Sequence, residues 1–385
     1  MDRLKPSRET LRRVPGWIAC TAMIAVSTFW TYWGVAEMYH EGWWGSWRNR
    51  LPYLAPIAVT LIPTLMAFRW PIAGGAAIIA IGIGALGFFS NDVAFIGLAV
   101  ALVGVLFVWD GMLKRRHPPE PPDPSIPWWP SQVRYVIAVG LPLLAAIAAS
   151  VYYLPIVLTR QDDGDRSARL IEGNDVSLVW APEGPGWNYK QPWGGYPSWD
   201  DIALYGLEPI GFDDKPGYGR QEDGDSGSAG GSDGADGAGG TGTDDSGASG
   251  SAGGAGSADY VHASGTDMAA TNVCLYLSED GLDLEDTRQG VWRMPTTDEI
   301  VRSLGRHGEN AGCAWDGEVG VQVKCEIVPD KESPLWSTEY SPIYYWSADE
   351  ADEDHGFFVA FNGTVNDTLK SGGNPRHSYR CVREP

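Results

Sequence analysis

Two sets of residues in the last third of the chain have the types and spacing to do chemistry. Asp349, Glu350, Asp352, Glu353 and Asp354 crowd five carboxylates together just before Phe357, an all-oxygen donor set of the kind that holds Ca2+. A solvated acidic loop is the simpler use of the same residues. The second set is Cys274, Cys313, Cys325 and Cys381. None of their spacings gives the paired C-x-x-C of a zinc site, and an even number of cysteines in one region reads as disulfides formed in an oxidising compartment. Four cysteines allow three connectivities. Pairing Cys274 with Cys381 would tie the ends of the region together, and pairing Cys313 with Cys325 would then close a smaller loop and leave no thiol free. Further upstream, Trp187, Trp193 and Trp199 have faces that could stack on sugar rings, against the alternative of packing into a core. His262, His307, His355 and His377 form no ligand pair at helical spacing.

These residues need elements to hold them. The run 266–277 has apolar positions at Met268, Val273, Leu275 and Leu277 and reads as a helix carrying Cys274. Thr296-Thr-Asp-Glu299 follows Pro295 and is a capping box, so a second helix runs to about Leu304. Short strand-like pieces follow at 319–328, 343–346, 357–361 and 378–382, and Asn362-Gly363 between apolar runs signals a hairpin turn. Two helices followed by short antiparallel strands make an α+β plan. Upstream, 175–181 reads as a strand, and 200–206 as a short helix started by Ser198 or Asp200.

The rest of the chain differs in chemistry. Residues 1–160 hold 13 Lys and Arg against 8 Asp and Glu, whereas 161–385 hold 15 against 41. A region so acidic repels phosphate backbones, which argues against nucleic acid as a partner. The first region carries five uncharged apolar stretches, at about 14–36, 51–68, 71–89, 93–109 and 135–158, each long enough to span a bilayer as a helix. Arg3, Lys5, Arg8, Arg12 and Arg13 precede the first, and Lys114, Arg115, Arg116 and Arg134 lie between the fourth and fifth. The positive-inside rule puts both groups in the cytoplasm. Five spans then place the cysteine-bearing region outside, in agreement with its disulfides. The apolar run of the first span is too long for a secretory signal, which favours a retained anchor. No Asp, Glu, Lys, Arg or His lies within these boundaries, which disfavours a pump. In the third span, Ala76, Ala80, Gly84 and Gly87 form a small-residue stripe suited to packing within the bundle.

From 221 to 258 the chain is almost entirely Gly, Ser, Ala and Asp. With nothing to bury, it reads as a disordered linker or an insertion. The segment 161–220 before it is too aromatic to be linker, and reads as an extracytoplasmic piece that could be the first part of the domain completed by 259–385.

The ordered pieces Trp292-Arg-Met-Pro-Thr with Glu299, Trp336-Ser-Thr-Glu, Phe358-Val-Ala-Phe-Asn-Gly and Tyr379-Arg-Cys-Val-Arg, behind a Cys-bearing helix, carry a resemblance. Residues 266–383 resemble the bacterial domain-of-unknown-function family typified by the C-terminal domain of the Lcl collagen-like adhesin. That resemblance implies a fold similar to C-type lectins and formylglycine-generating enzymes, and a place among surface proteins, some of them adhesins. It supplies no catalytic residue, and the Glu-Pro-Asn sugar-binding motif of calcium-dependent lectins is absent.

The expected whole is an α-helical membrane bundle plus an α+β C-type-lectin-like domain, in the bacterial cytoplasmic membrane with the N-terminus inside. Its expected role is recognition or adhesion without catalysis, toward a glycan or protein ligand. A sensory or accessory subunit with a membrane-protein partner is the alternative, and a formylglycine-generating type of enzyme is third. No cofactor is expected beyond the Ca2+ that the acidic loop could take.

Overall fold

The computed structural model describes residues 8–88, 94–117, 129–190, 195–206, 220–221, 260–372 and 376–385. The chain divides into two compact units, with the boundary between Leu158 and Thr159. The Pro-rich connector after His117, the 222–259 stretch and Trp193 lie outside the described residues.

The first unit consists of helices α1 (Arg8–His40), α2 (Leu51–Arg69), α3 (Pro71–Phe88), α4 (Ala94–Arg116) and α5 (Trp129–Leu158). Among the described residues, Val14–His40, Trp47–Arg69, Phe95–Arg116 and Gln132–Leu158 are long and apolar enough to cross a membrane, and Pro71–Gly87 is apolar but shorter. Their large apolar side chains point outward as well as inward, with Phe95 and Val136 each 68% exposed, a distribution that suits lipid rather than water.

Helices α3 and α4 meet through glycines. A Cβ on Gly75 would lie 2.7 Å from the Gly104 carbonyl oxygen and one on Gly104 2.7 Å from that of Gly75; Gly82 and Gly97 repeat the reciprocal contact seven residues along. The stripe expected to pack, Ala76, Ala80, Gly84 and Gly87, instead faces outward, and a Cβ on Gly84 or Gly87 would meet nothing within 4 Å. Small residues suit either face by composition, but carbonyls approach only where the Cβ is missing on both helices. Gly104→Leu is therefore expected to lower the thermal midpoint of the micelle-solubilised protein by several degrees, with Gly84→Leu leaving it unchanged. Circular dichroism melting of the two variants checks this.

The fourth span also departs from expectation. Helix α4 continues past Trp109 and buries Asp110, which is 3% exposed and accepts a 2.5 Å bond from Lys114 Nζ one turn on. Gly16 of α1 makes the room, since a Cβ there would sit 2.6 Å from Asp110 Oδ1. The bundle thus holds an acid that the expected boundary left outside.

The second unit is sheet-rich. Strands β1 (Arg169–Gly173) and β2 (Val176–Trp180) form a hairpin, followed by α6 (Trp199–Ala203), β3 (Arg220–Gln221), β4 (Tyr260–Val261), α7 (Gly265–Thr271) and α8 (Thr297–Arg302). Beyond these come β5 (Gly305–Arg306), β6 (Glu309–Asn310), β7 (Val321–Gln322), β8 (Tyr344–Glu350), β9 (His355–Ala360), β10 (Thr364–Leu369), β11 (His377–Ser378) and β12 (Val382–Arg383). One sheet has the order β1-β2-β12 and the other β11-β8-β9-β10-β7. The last strand therefore pairs with one that precedes the acidic stretch, Val382 opposite Trp180. Strands β3 and β4, at the two ends of that stretch, pair with each other. Chain from both sides of 222–259 builds one unit.

Each short helix begins in a capping box: Ser198 with Asp201, Ser264 with Asp267, and Thr296 with Glu299. Such a cap contributes about 1 kcal/mol, which matters for helices of one or two turns. The single helix expected over 266–277 is broken at Asn272, whose backbone is extended and whose Nδ2 donates to the Met268 carbonyl at 2.5 Å. A 3-10 turn, Val273–Tyr276, resumes beyond it and buries Cys274. The expected strand 319–328 shrinks to β7, and Gly320, at positive φ, turns the chain just before it. The Asn-Gly turn joins β9 to β10, with Gly363 at φ 84° and Asn362 Oδ1 accepting from the Thr364 amide.

Disulfides join Cys274 to Cys381 and Cys313 to Cys325. Between them lies a core with six tryptophans essentially without exposure, Trp180, Trp187, Trp199, Trp292, Trp336 and Trp346. Arg380 is buried with them, its guanidinium 3.6 Å from the centroid of Trp187 and donating to the carbonyls of Ala181, Pro334 and Leu335. Burial pushes its pKa down to about 9.

The Trp336-Ser-Thr piece has a structural task. Asp162 accepts bonds from the Thr338 amide (2.8 Å) and hydroxyl (3.0 Å), from the Ser333 and Ser337 hydroxyls (3.3 Å each) and from both guanidinium nitrogens of Arg166. Burial alone would raise its carboxyl, but Arg166 and the surrounding amides hold it well below the usual carboxylate range. Arg160 and Arg306 similarly clamp the buried Asp330. The segment just past Leu158 is thereby fastened into the second unit.

Candidate functional site

The acidic residues singled out by sequence occupy the end of β8 and the turn into β9. They do not act as one donor set. Asp349 accepts a 2.7 Å bond from the Thr297 amide in the first turn of α8, where a carboxylate complements the helix dipole. Asp352 caps its own turn, accepting from the amides of Asp354 and His355 at 2.9 and 2.8 Å and pairing with His355 Nδ1 at 2.8 Å. His355 and those amides hold its carboxyl below the ordinary range. Glu350 is bound to Lys370, while Glu353 and Asp354 are exposed. Among the described residues, the group of three His, Cys, Asp or Glu whose ligand atoms gather to within 4.8 Å is Glu37, His40 and Glu41 at the C-terminal end of α1, and none of the loop acids belongs to it.

The loop rests on a buried polar layer that sequence reasoning missed. Lys370, at the end of β10, is 1% exposed. Its ammonium donates to the Ala263 carbonyl (2.9 Å), Glu350 Oε2 (2.8 Å) and the Glu353 carbonyl (2.9 Å), and lies 4.8 Å from the Trp199 ring centroid. Beside it, the fully buried Asp200 accepts from the Ala263 amide at 2.9 Å and is joined to His262 Nδ1 at 2.8 Å, while His262 Nε2 lies 3.9 Å from Asp354 Oδ1. Burial pushes the Asp200 carboxyl up, partly offset by His262 and the Ala263 amide. Four segments distant in sequence thus converge under one turn: α6, the start of α7, the β8–β9 turn and the end of β10. Nothing in the spacing of Asp200, His262 and Lys370 announces this, since tertiary pairing alone brings them together.

The tryptophans proposed to stack on a ligand are core residues where they are described. Trp187 is 1% exposed, with Nε1 donating to Tyr345 Oη at 2.6 Å and Arg380 against its face. Trp199 is fully buried, with Nε1 donating to the Ser347 carbonyl at 2.9 Å. Neither offers a face to a sugar. A shallow depression of about 350 Å³ lies elsewhere on the same unit, lined by Asp175, Ser177, Asp298, Glu299, Arg302 and Glu384. Its Asp298 and Glu299 are already paired, with Arg302 and Arg293 respectively.

Comparison with known proteins adds one finding. Residues 5–119 match a family model described as Domain of unknown function (DUF7670), so the similarity covers α1 to α4. No curated protein and no solved structure gives a match.

Proposed function

We propose that this chain is a polytopic protein of the bacterial cytoplasmic membrane with five spans and its N-terminus inside, displaying a C-type-lectin-like domain outside for recognition or adhesion. The observation that carries the recognition reading is the acidic turn 351–354, whose exposed carboxylates stand on the Lys370–Asp200–His262 layer. A rigid base under an exposed charged tip is how loops on scaffolds commonly bind partners. The lectin-like reading draws support from the pairing of the last strand, β12, with β2 near the start of the unit and from the two nested disulfides. Pairing of all four cysteines of the second unit favours a non-catalytic role for it, because formylglycine-generating chemistry uses reactive thiols.

Burial of Trp187 and Trp199 shifts the expected mode of binding from ring stacking toward charge. A ligand presenting cationic groups, or one bridged by Ca2+, suits the turn. The test is binding of residues 159–385, and of the full chain in nanodiscs, to immobilised glycans and to candidate surface proteins, with and without Ca2+. We expect binding that weakens about tenfold, or ~1.4 kcal/mol, in a combined D352N, E353Q and D354N variant. If the segment binds nothing while the full chain copurifies with a membrane complex, the adhesion reading fails.

A further inference from the structure

The three ligand-bearing side chains that do converge belong to the first unit, at the end of its first helix. Helix α1 does not stop with its apolar run at Ala36 but continues to His40, and the amides of Glu41 and Gly42 both donate to the Glu37 carbonyl, at 2.7 and 3.2 Å. That closed last turn places Glu37, His40 and Glu41 on one face, at i, i+3 and i+4, with one ligand atom from each within 4.8 Å of the others. All three are half-buried.

The surroundings fix the group. Tyr53, near the start of α2, donates its hydroxyl to Glu41 Oε2 at 3.3 Å. Its ring is seated against Gly42, where a Cβ would lie 2.6 Å from Tyr53 Cε2, and its backbone carbonyl against Gly34. Gly34 of α1 and Gly42 just past its end therefore let α2 approach closely enough for the phenol to orient one carboxylate, the part that outer hydrogen bonds play around metal ligands.

We propose that Glu37, His40 and Glu41 bind a divalent first-row transition-metal cation, with Tyr53 positioning Glu41. An imidazole beside two carboxylates selects this class over Ca2+ and Mg2+, which take oxygen-only sets. As ligands the three groups carry two negative charges, which a divalent cation balances, an advantage where surrounding apolar surface makes net charge costly. The helix C-terminus adds the negative end of its dipole. In a tetrahedral site with bonds near 2.1 Å the ligand atoms stand about 3.4 Å apart, a closure of roughly an ångström that side-chain rotation supplies. Three protein ligands leave the remaining position to water or to a ligand from outside the chain.

The experiment titrates the metal-free full chain in detergent micelles with Zn2+, and separately with Co2+, whose visible absorption reports nitrogen-containing coordination. The expected result is one ion per chain. E37Q and H40Q should each weaken binding by well over tenfold, and Y53F by about tenfold, as loss of an outer partner commonly does. The D352N, E353Q and D354N variant of the outer turn should bind as the parent does. Helical circular dichroism identifies any variant that fails to fold; for such a position, the conservative H40C variant, which retains a metal ligand, should still bind. Absence of stoichiometric binding, binding indifferent to E37Q and H40Q, or loss of binding in the outer-turn variant would each overturn the proposal.

Discussion

Replacing Cys274 and Cys381 together by serine is expected to lower the stability of the second unit by about 4–5 kcal/mol, because the bridge closes a loop spanning 107 residues of sequence. For a domain of this size that is a fall of roughly 10–15 °C in the thermal midpoint. Both cysteines are fully buried, and the bridge fixes the 3-10 turn Val273–Tyr276 to the residue before β12. The corresponding change at Cys313 and Cys325, 12 residues apart, should cost less, since the loop-entropy contribution shrinks with loop length. Tryptophan fluorescence during thermal unfolding of residues 159–385 measures both. Equal midpoint shifts for the two double variants would refute the ranking.

Acid should weaken the same unit through His377. This imidazole is 4% exposed and lies 4.7 Å from Tyr344, 4.7 Å from Trp346 and 4.5 Å from Phe358 between ring centroids. Neither ring nitrogen has a hydrogen-bond partner, and burial pushes the pKa down to about 3. The fold therefore accommodates the neutral ring and opposes the charged one, whereas the unfolded chain protonates its histidine near pH 6.5. Stability from this site is fully present above about pH 6.5 and declines by about 1.4 kcal/mol per unit as the pH falls toward 3. At pH 4.5 the cumulative loss is about 2.7 kcal/mol. His377→Phe keeps an aromatic ring in the cage and should remove this one-proton slope between pH 6.5 and 4, as read by urea unfolding across that range. Asp162 acts below this window. Its carboxyl is held low in the fold, so its contribution is present above about pH 3.9 and disappears beneath it. An unchanged slope in His377→Phe would show that the ring is hydrated rather than caged.

Much of the scaffold could be read locally. The Thr296-x-x-Glu299 box, the Asn362-Gly363 turn and the apolar stretches each have their cause within a few residues, so composition and spacing were enough. Helix ends were less legible, for two different reasons. At Asp110 a charge appeared to end the span, but Gly16 and Lys114, one on another helix, give it a buried place. At Ala36 the apolar run ends, yet the backbone continues for another turn and builds the Glu37-x-x-His40-Glu41 face. That pattern stood in the sequence at helical spacing and needed only the longer helix to be noticed. Side-chain roles were the least legible. Trp187 and Trp199 have the composition of a binding surface, and only the pairing of β2 with β12 and the packing of α6 against the core show which way they turn. Lys370 and Asp200, 170 positions apart in sequence, meet through tertiary contacts that no local pattern encodes.

The neighbouring strands β3 and β4 bring the chain back beside the point from which it departs into the 222–259 stretch. Both disulfides lie wholly on the C-terminal side of that stretch. A protease cutting within it would therefore sever no bridge between the two pieces, and would leave a membrane-embedded fragment and a doubly cross-linked one. They would then adhere without a covalent link, through contacts such as the β2–β12 ladder, the Asp162 clasp on Ser337 and Thr338, the Asp200–His262 contact and the shared tryptophan core. The second unit is built as a split protein whose halves happen to share a chain, and clipping would leave their union to noncovalent contacts alone.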